Sequence, residues 1–250
     1  MVMNPATNKV FGPFWGEFGW EIAQWAPYVN RHAGDTDRIM CMPGHADLYG
    51  ADVPISQSSP RPDGAVPDMM NCSMSKASMF INLKIKLRKG VPVIDAETLP
   101  IPLGPGLGAT REHVVLHCRG IEKCEERNLA PAKWDKIVKD LNDNGVVPYL
   151  IGSFAHDYSP DGDAVDCTGD PLSSIIMLLR SARVVVGGSS GPMHLAQACE
   201  TPVVVWSGNA AKDKPRYKEV WNHFDSPTTF VASTWQPGVG KILKAIENAL

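Results

Sequence analysis

At 250 residues, with 44% apolar and 20% charged side chains, the chain is long enough for one large core or two small ones. A formal net charge of −3 and a pI near 6.2 exclude a surface dominated by binding to a phosphate backbone. No run of about 18 apolar residues occurs, so no membrane-spanning helix is expected, and Met1–Lys9 lacks the basic-then-apolar pattern of a signal peptide. The six cysteines (Cys41, Cys72, Cys118, Cys124, Cys167 and Cys199) form no C-x-x-C pair, which fits reduced thiols in a cytoplasmic protein.

In chain order, Lys9-Val10-Phe11 reads as a short strand and Trp20 to Asn30 as a helix after the glycine-rich Gly12–Gly19. The basic stretch Lys76 to Lys89 reads as helix or strand, and the alternation of Ile81, Leu83, Ile85 and Leu87 favours the strand. The prolines and glycines between Leu99 and Gly108 mark a linker, which divides the chain into 1–108 and 109–250. Beyond it, strands alternate with helical patterns, as in a parallel α/β sheet. His113–His117, Val146–Ile151, Arg183–Gly187 and Thr201–Trp206 read as strands. Ala132–Asn142 is predicted helical from the spacing of Trp134, Ile137, Val138 and Leu141, with Asn144-Gly145 ending it. Leu172–Ser181 is predicted helical too, and His194–Cys199 opens a further helix.

The segment most able to do chemistry is Val184-Val-Val-Gly-Gly-Ser-Ser-Gly-Pro-Met-His-Leu-Ala-Gln-Ala198. A buried strand ends in a glycine-and-serine turn that leads straight into a helix. Such a turn offers backbone N–H groups and the positive end of a helix dipole to an anion. Ser189 and Ser190 add hydroxyls, and Gly191 permits close approach. The same pattern also describes a tight turn with no ligand.

That segment, with Thr201-Pro-Val-Val-Val-Trp-Ser-Gly208 after it, resembles the C-terminal signature of the lipopolysaccharide heptosyltransferases (glycosyltransferase family 9). The resemblance extends upstream through Arg127-Asn-Leu-Ala-Pro-Ala-Lys-Trp134, Leu150-Ile-Gly152 and Asp166-Cys-Thr-Gly-Asp170, and so covers about Thr110 to Gly208. It implies a GT-B type α/β fold: two Rossmann-like lobes, here a reduced N-terminal acceptor-side lobe and a doubly wound parallel-sheet donor lobe. It implies an inverting transferase that needs no metal or other cofactor and takes a nucleotide-diphosphate sugar as donor. The family usually has an acidic or amide residue where this chain has Ser189, so a donor other than ADP-heptose is in play.

By the same resemblance, Gly16-Glu17 at the start of the first helix carries the catalytic carboxylate. Glu17 would deprotonate the acceptor, and Glu21 is the rival base. Arg127 matches the family's basic position for the diphosphate, with Arg119 and then Lys123 as further candidates among Glu122, Glu125 and Glu126. Ser189, Ser190, Gly191, Pro192, Met193 and His194 complete the donor-binding set; His194 could reach a phosphate or ribose, whereas Met193 reads as packing beneath the turn. Asp161-Gly-Asp163 looks like a metal-holding aspartate pair but reads as a turn. Trp15, Trp20 and Trp25 could stack on sugars or pack in a core. The acceptor could be a glycan, a lipid-linked sugar, a protein or a modified nucleic-acid base. Competing functions on this scaffold are a nucleotide-sugar epimerase or hydrolase, and a non-catalytic nucleotide-sugar-binding protein.

Overall fold

The structure, a computed structural model, describes residues 10, 11, 14, 18–35, 37–50, 54–57, 86–88, 91–93, 111, 113–121, 124–153, 160–218, 222 and 225–250. The linker 99–108 lies outside them. The chain divides into two units, Met1–Leu103 and Gly104–Leu250.

In the first unit, strands β1 (Val10–Phe11), β2 (Arg38–Cys41) and β3 (Ile55–Gln57) form a parallel sheet with β2 in the middle. The helix expected over 20–30 is longer and irregular. It runs from α1 (Phe18–Trp20) through a π-helical segment, Glu21–Trp25, into α2 (Ala26–His32). Pro27 gives the physical reason: it has no N–H to return to a carbonyl one turn back, and the chain widens just ahead of it. Phe11, Phe14, Ile22, Trp25, Val29, Ile39 and Leu48 form the buried interior. Trp25 stacks between Phe14 (centroids 5.9 Å apart) and Tyr28 (6.0 Å), so it belongs to packing and not to a sugar platform. Trp15 and the side chain of Trp20 lie outside the described residues. Of the ambiguous stretch 76–89, β4 (Lys86–Arg88) is a strand, paired antiparallel with β5 (Val91–Val93); residues 76–85 and Lys89 are not described.

The second unit contains a six-stranded parallel sheet. Its strands are β6 (His113–Arg119), β7 (Tyr149–Ser153), β8 (Val165–Asp166), β9 (Ala182–Gly188), β10 (Val203–Trp206) and β11 (Thr228–Phe230). Their spatial order is β11-β10-β9-β6-β7-β8. The chain therefore starts at β6, builds outward to β8, then returns to β9 beside β6 and builds outward the other way. The topology reverses between β6 and β9, where Val115 lies opposite Val185 and His117 opposite Gly187. Among the described residues, five α-helices connect or flank the strands: α3 (Pro131–Asp143), α4 (Leu172–Ser181), α5 (Gly191–Ala198), α6 (Ala210–Arg216) and α7 (Val239–Glu247).

One core face is read directly from alternation. Val114, Leu116 and Cys118 of β6, Val184 and Val186 of β9, and Val204 and Trp206 of β10 point to one side. There they meet Trp134, Ile137, Val138 and Leu141 of α3 and Ile242, Ala245 and Ile246 of α7. Trp134 is buried, its ring 6.0 Å from that of Trp206. Trp134→Ala is expected to cost about 3–5 kcal/mol of stability, read as a lower midpoint in chemical denaturation. β7 begins at Tyr149, later than expected. Pro148 has no N–H for a ladder, and Val146 N–H is used to cap α3 through Leu141 O at 2.8 Å. The short strands β8 and β11 and helices α6 and α7 go beyond the elements predicted from sequence.

Candidate functional site

In an open α/β sheet, ligands bind outside the carboxyl ends of the strands where the topology reverses. In the second unit that point is the end of β6, bearing His117 and Arg119, and the end of β9, bearing Gly187 and Gly188. The two strands are brought unusually close to side chains here. A Cβ on Gly187 would stand 2.9 Å from Met193 Sδ and 3.0 Å from His117 Cβ. Met193 is thus packed beneath the turn, as its sequence position suggested.

The turn divides its polar groups between structure and exposure. Ser189 is buried, and its backbone is consumed: its N–H donates to Trp206 O at 2.8 Å, and its carbonyl accepts from Arg127 Nη2 at 2.6 Å. Its hydroxyl accepts from Tyr217 O–H at 3.1 Å. Ser189, singled out in sequence for its hydroxyl, has its N–H, carbonyl and hydroxyl all hydrogen-bonded within the fold and so anchors the turn. Ser190 follows with an extended backbone (φ −167°) as the N-cap of α5. Among the described residues, neither the N–H of Ser190 nor that of Gly191 has a hydrogen-bond partner. Those two amides stand at the positive end of α5, with Pro192 setting its first turn.

Ser190 Oγ donates to Gly188 O at 2.9 Å and lies 3.1 Å from His117 Nδ1. A hydroxyl has one hydrogen, so the imidazole N–H is left to donate to Oγ. His117 was not singled out from sequence; its signal is its place at the end of a central parallel strand. Burial first, then the charges of Arg119 and Arg127, lower its pKa to about 4. His194 is also buried, 5.2 Å from the Tyr217 ring, and its pKa falls to about 3. Burial is the main cause, opposed by a hydrogen bond with Gln197 and assisted by Arg127. It therefore sits as a neutral ring on the inner side of α5, packed on Tyr217. The Tyr217 phenol is pushed up by its burial.

Arg127 is the cation that the fold delivers to the turn. It ends a short 3-10 turn (Glu125–Arg127) that follows Cys124 in the left-handed region (φ 60°). Its guanidinium lies over the Trp235 ring, 4.8 Å from the centroid, and bonds to Ser189 O. Its Nε is buried with no hydrogen-bond partner among the described residues. Glu125 and Glu126 are exposed while Arg127 is half-buried, so Arg127 is set apart from its neighbours. Arg119 does a different job. It donates to Cys124 O at 3.0 Å and to Asn128 Oδ1, bracing the loop that carries Arg127. Gln236 ties the same loop to the chain before α7, donating to Asn128 O at 2.6 Å and accepting from Ala130 N–H. Trp235 and Gln236 had no sequence signal. Lys123 lies outside the described residues.

In the first unit, Glu17 lies outside the described residues. Glu21 is buried, with both oxygens engaged: Oε1 accepts from Tyr49 O–H at 2.6 Å, and Oε2 lies 2.6 Å from His45 Nδ1. Sequence reasoning missed His45 and Tyr49, which follow β2 after Gly44 turns the chain with φ +79°. Burial and the neighbouring Glu21 raise the Tyr49 phenol well above its usual range. Asp161 and Asp163 are turn residues: their N–H groups donate to Asp135 Oδ1 (2.9 Å) and Asn142 Oδ1 (2.8 Å). Among the described residues, no three His, Cys, Asp or Glu side chains cluster as metal ligands.

Residues 106–216, which contain β6, Arg127, the glycine-serine turn and α6, match the family model of glycosyltransferase family 9 (heptosyltransferase). Over those residues the chain is similar to the heptosyltransferases. Its fold is that of two solved structures. One is the glycosyl transferase family 9 protein from Veillonella parvula, with TM-score 0.60 at 11% identity, covering 100% of this chain and 99% of that one. The other is the ADP-heptose lipopolysaccharide heptosyltransferase II of E. coli, with TM-score 0.59 at 13% identity, covering 96% and 97%. A third likeness, to the iron-containing dodecameric glycosyltransferase TibC of enterotoxigenic E. coli, has TM-score 0.49 at 20% identity; this chain spans 57% of that chain's length. No curated protein matches it. The fold class is thus GT-B: α/β with parallel sheets. No helix among the described residues is long and apolar enough to cross a membrane.

Proposed function

We propose that the chain transfers a sugar from a nucleotide-diphosphate donor to an acceptor hydroxyl, with inversion and without a metal. The observation that carries this is that Arg127 is bonded to Ser189 O at the topological switch point, next to the Ser190 and Gly191 amides, which have no partner among the described residues. Three unpaired donors, Arg127 Nε and the two backbone N–H groups, suit the oxygens of a diphosphate. The match of residues 106–216 to a glycosyltransferase family supports reading that anion as the leaving group of a sugar nucleotide.

In this reading, 109–250 is the donor lobe and 1–108 the acceptor-side lobe. An acceptor oxygen attacks the anomeric carbon as the diphosphate leaves from the opposite face, and Arg127 with the positive end of α5 stabilises the negative charge that develops on it. Ser189 and Arg119 act by holding the turn and the Arg127 loop. Met193 and His194 support the turn from below. Such fixed positive charge supports metal independence, for which the test is turnover unchanged by a chelator. The acceptor hydroxyl needs a proton acceptor, and Glu17 is the carboxylate that the sequence pattern marks. The acceptor class, whether glycan, lipid-linked sugar, protein or modified nucleic-acid base, follows from an acceptor panel. Free thiols at Cys41, Cys118, Cys124, Cys167 and Cys199 support a cytoplasmic location.

The deciding experiment is calorimetric titration of ADP, UDP, GDP and CDP into the protein. Tight binding of one of them is expected and names the donor class. Binding of none would remove the donor site.

A further inference from the structure

We infer that Trp235 is the positioning residue for Arg127: its ring holds the guanidinium at the turn without neutralising it, and Gly208 leaves the room for that ring. This rests on the reading of Arg127 as a diphosphate ligand and deepens it; every residue involved belongs to the second unit. An arginine side chain is long and rich in rotamers, so a guanidinium that acts at one point has to be held there. A carboxylate clamp would take up its N–H donors and cancel its charge. Among the described residues Arg127 has no such ion pair. Instead Nη2 donates to Ser189 O at 2.6 Å, and Cζ lies 4.8 Å from the centroid of the Trp235 ring. The stack uses the face of the guanidinium and none of its N–H groups, and Nε stays buried with no partner among the described residues. The full positive charge is kept for an anion.

The ring is itself fixed from two sides. Before it, Ser207 N–H donates to Ala232 O at 3.4 Å and Ala210 N–H to Ser233 Oγ at 3.0 Å, which ties the chain after β11 to the end of β10 and the start of α6. After it, Gln236 Nε2 donates to Asn128 O at 2.6 Å, and Lys133 Nζ donates to Gln236 O and Pro237 O, each at 2.9 Å. Trp235 is therefore the middle of a strap that runs from α6 to the loop carrying Arg127, and its half-buried ring packs against the apolar core. Gly208 decides whether the ring fits. A Cβ there would collide with Trp235 Nε1 and stand 2.8 Å from Cδ1, closer than such carbons approach. The φ of Gly208 is not positive, so the glycine supplies space and not a special backbone conformation.

Two consequences separate this role from a ring that only fills space. The attraction comes from the ring's π face, so another aromatic side chain can supply it and an aliphatic one cannot. The ring acts only through Arg127, so its effect falls on the diphosphate and vanishes when Arg127 is gone.

The test titrates inorganic pyrophosphate and the cognate nucleoside diphosphate into the wild type, Trp235→Leu, Trp235→Phe and Gly208→Ala, with thermal midpoints to establish that each is folded. Trp235→Leu is expected to weaken both ligands by the same factor, about 3- to 30-fold, and Trp235→Phe to recover most of that loss. Gly208→Ala, which displaces the ring without removing it, is expected to weaken both ligands as well. Added to Arg127→Ala, Trp235→Leu is expected to cause no further loss. A loss confined to the nucleoside diphosphate overturns the proposal, because the ring would then be touching the nucleoside. Equal losses in Trp235→Leu and Trp235→Phe overturn it, and so does a loss that persists undiminished beside Arg127→Ala. Proton–nitrogen NMR of the ligand-free wild type needs no variant to fold: the Arg127 Nε–H is expected to carry the ring-current shift of an adjacent indole. Its absence overturns the proposal whatever the affinities. A wild type that shows this shift and binds no diphosphate is a failure of the transferase reading. A Trp235→Leu variant that binds both ligands as the wild type does is a failure of Trp235 alone.

Discussion

Arg127→Ala is expected to weaken binding of the cognate nucleoside diphosphate by at least about tenfold, or roughly 1.4 kcal/mol, and to lower kcat by about 10²–10³-fold. The larger effect on kcat follows because charge on the departing diphosphate grows along the reaction, and a fixed guanidinium is worth most where charge is greatest. The substitution also removes the donor to Ser189 O, which Arg127 Nη2 contacts at 2.6 Å. Leaving that carbonyl unpaired costs about 1–3 kcal/mol of stability, so thermal midpoints need to be measured beside the titration. Arg127→Lys separates the two effects. A lysine restores charge without the planar fork or the stack on Trp235, so it is expected to recover part of the affinity and little of the rate. Unchanged affinity in a folded Arg127→Ala protein would dismiss the donor site.

Acid is expected to destabilise the second unit from about pH 6.5 downward, before its carboxylates are protonated. His117 and His194 have pKa values lowered to about 4 and about 3, with burial the largest cause at each, against an ordinary value of 6.5. The unfolded chain therefore takes up protons below about pH 6.5 that the folded chain refuses. Stability is full above that pH. It falls as pH drops towards 4, with a slope approaching about 1.4 kcal/mol per pH unit for each histidine. The total is on the order of several kcal/mol, comparable to the stability of a typical domain. Urea midpoints measured at pH 7, 6 and 5 check this. His194→Gln, which has no such titration, is expected to flatten the fall between pH 6.5 and 5 even if its midpoint at pH 7 is lower. A midpoint independent of pH over that range would show that these rings are not held neutral by burial. The same protonation acts on the site, because the His117 ring shares a hydrogen bond with Ser190 at the turn.

The elements that were legible in the sequence are those whose own residues carry the signal. The central strands of the six-stranded sheet are near-continuous apolar, valine-rich runs because helices cover both faces, and such runs stand out in any register. Helix α3 announces itself by one apolar stripe, and that stripe is the one that meets the sheet at Trp134, Ile137, Val138 and Leu141. The glycine-serine turn was readable because a strand, a glycine pair and a proline at the first helical turn constrain the backbone locally. By contrast, β2, β3, β8 and β11 have four residues or fewer, too short for alternation to rise above chance.

By itself the sequence determined an α/β unit after the linker and a glycine-serine turn leading into α5, since each follows from local backbone chemistry or a contiguous motif; Arg127 was singled out by the family resemblance. Only the tertiary structure decided who meets whom. It spends the Ser189 backbone on Trp206 and on Arg127, 62 residues away, leaving the next two amides without a partner among the described residues. It brings Glu21 together with His45 and Tyr49, 24 and 28 residues on. A hydrogen bond between residues so far apart leaves no periodic trace along the chain. It arises when parallel strands bring their carboxyl ends, and the loops that follow them, to one rim of a sheet.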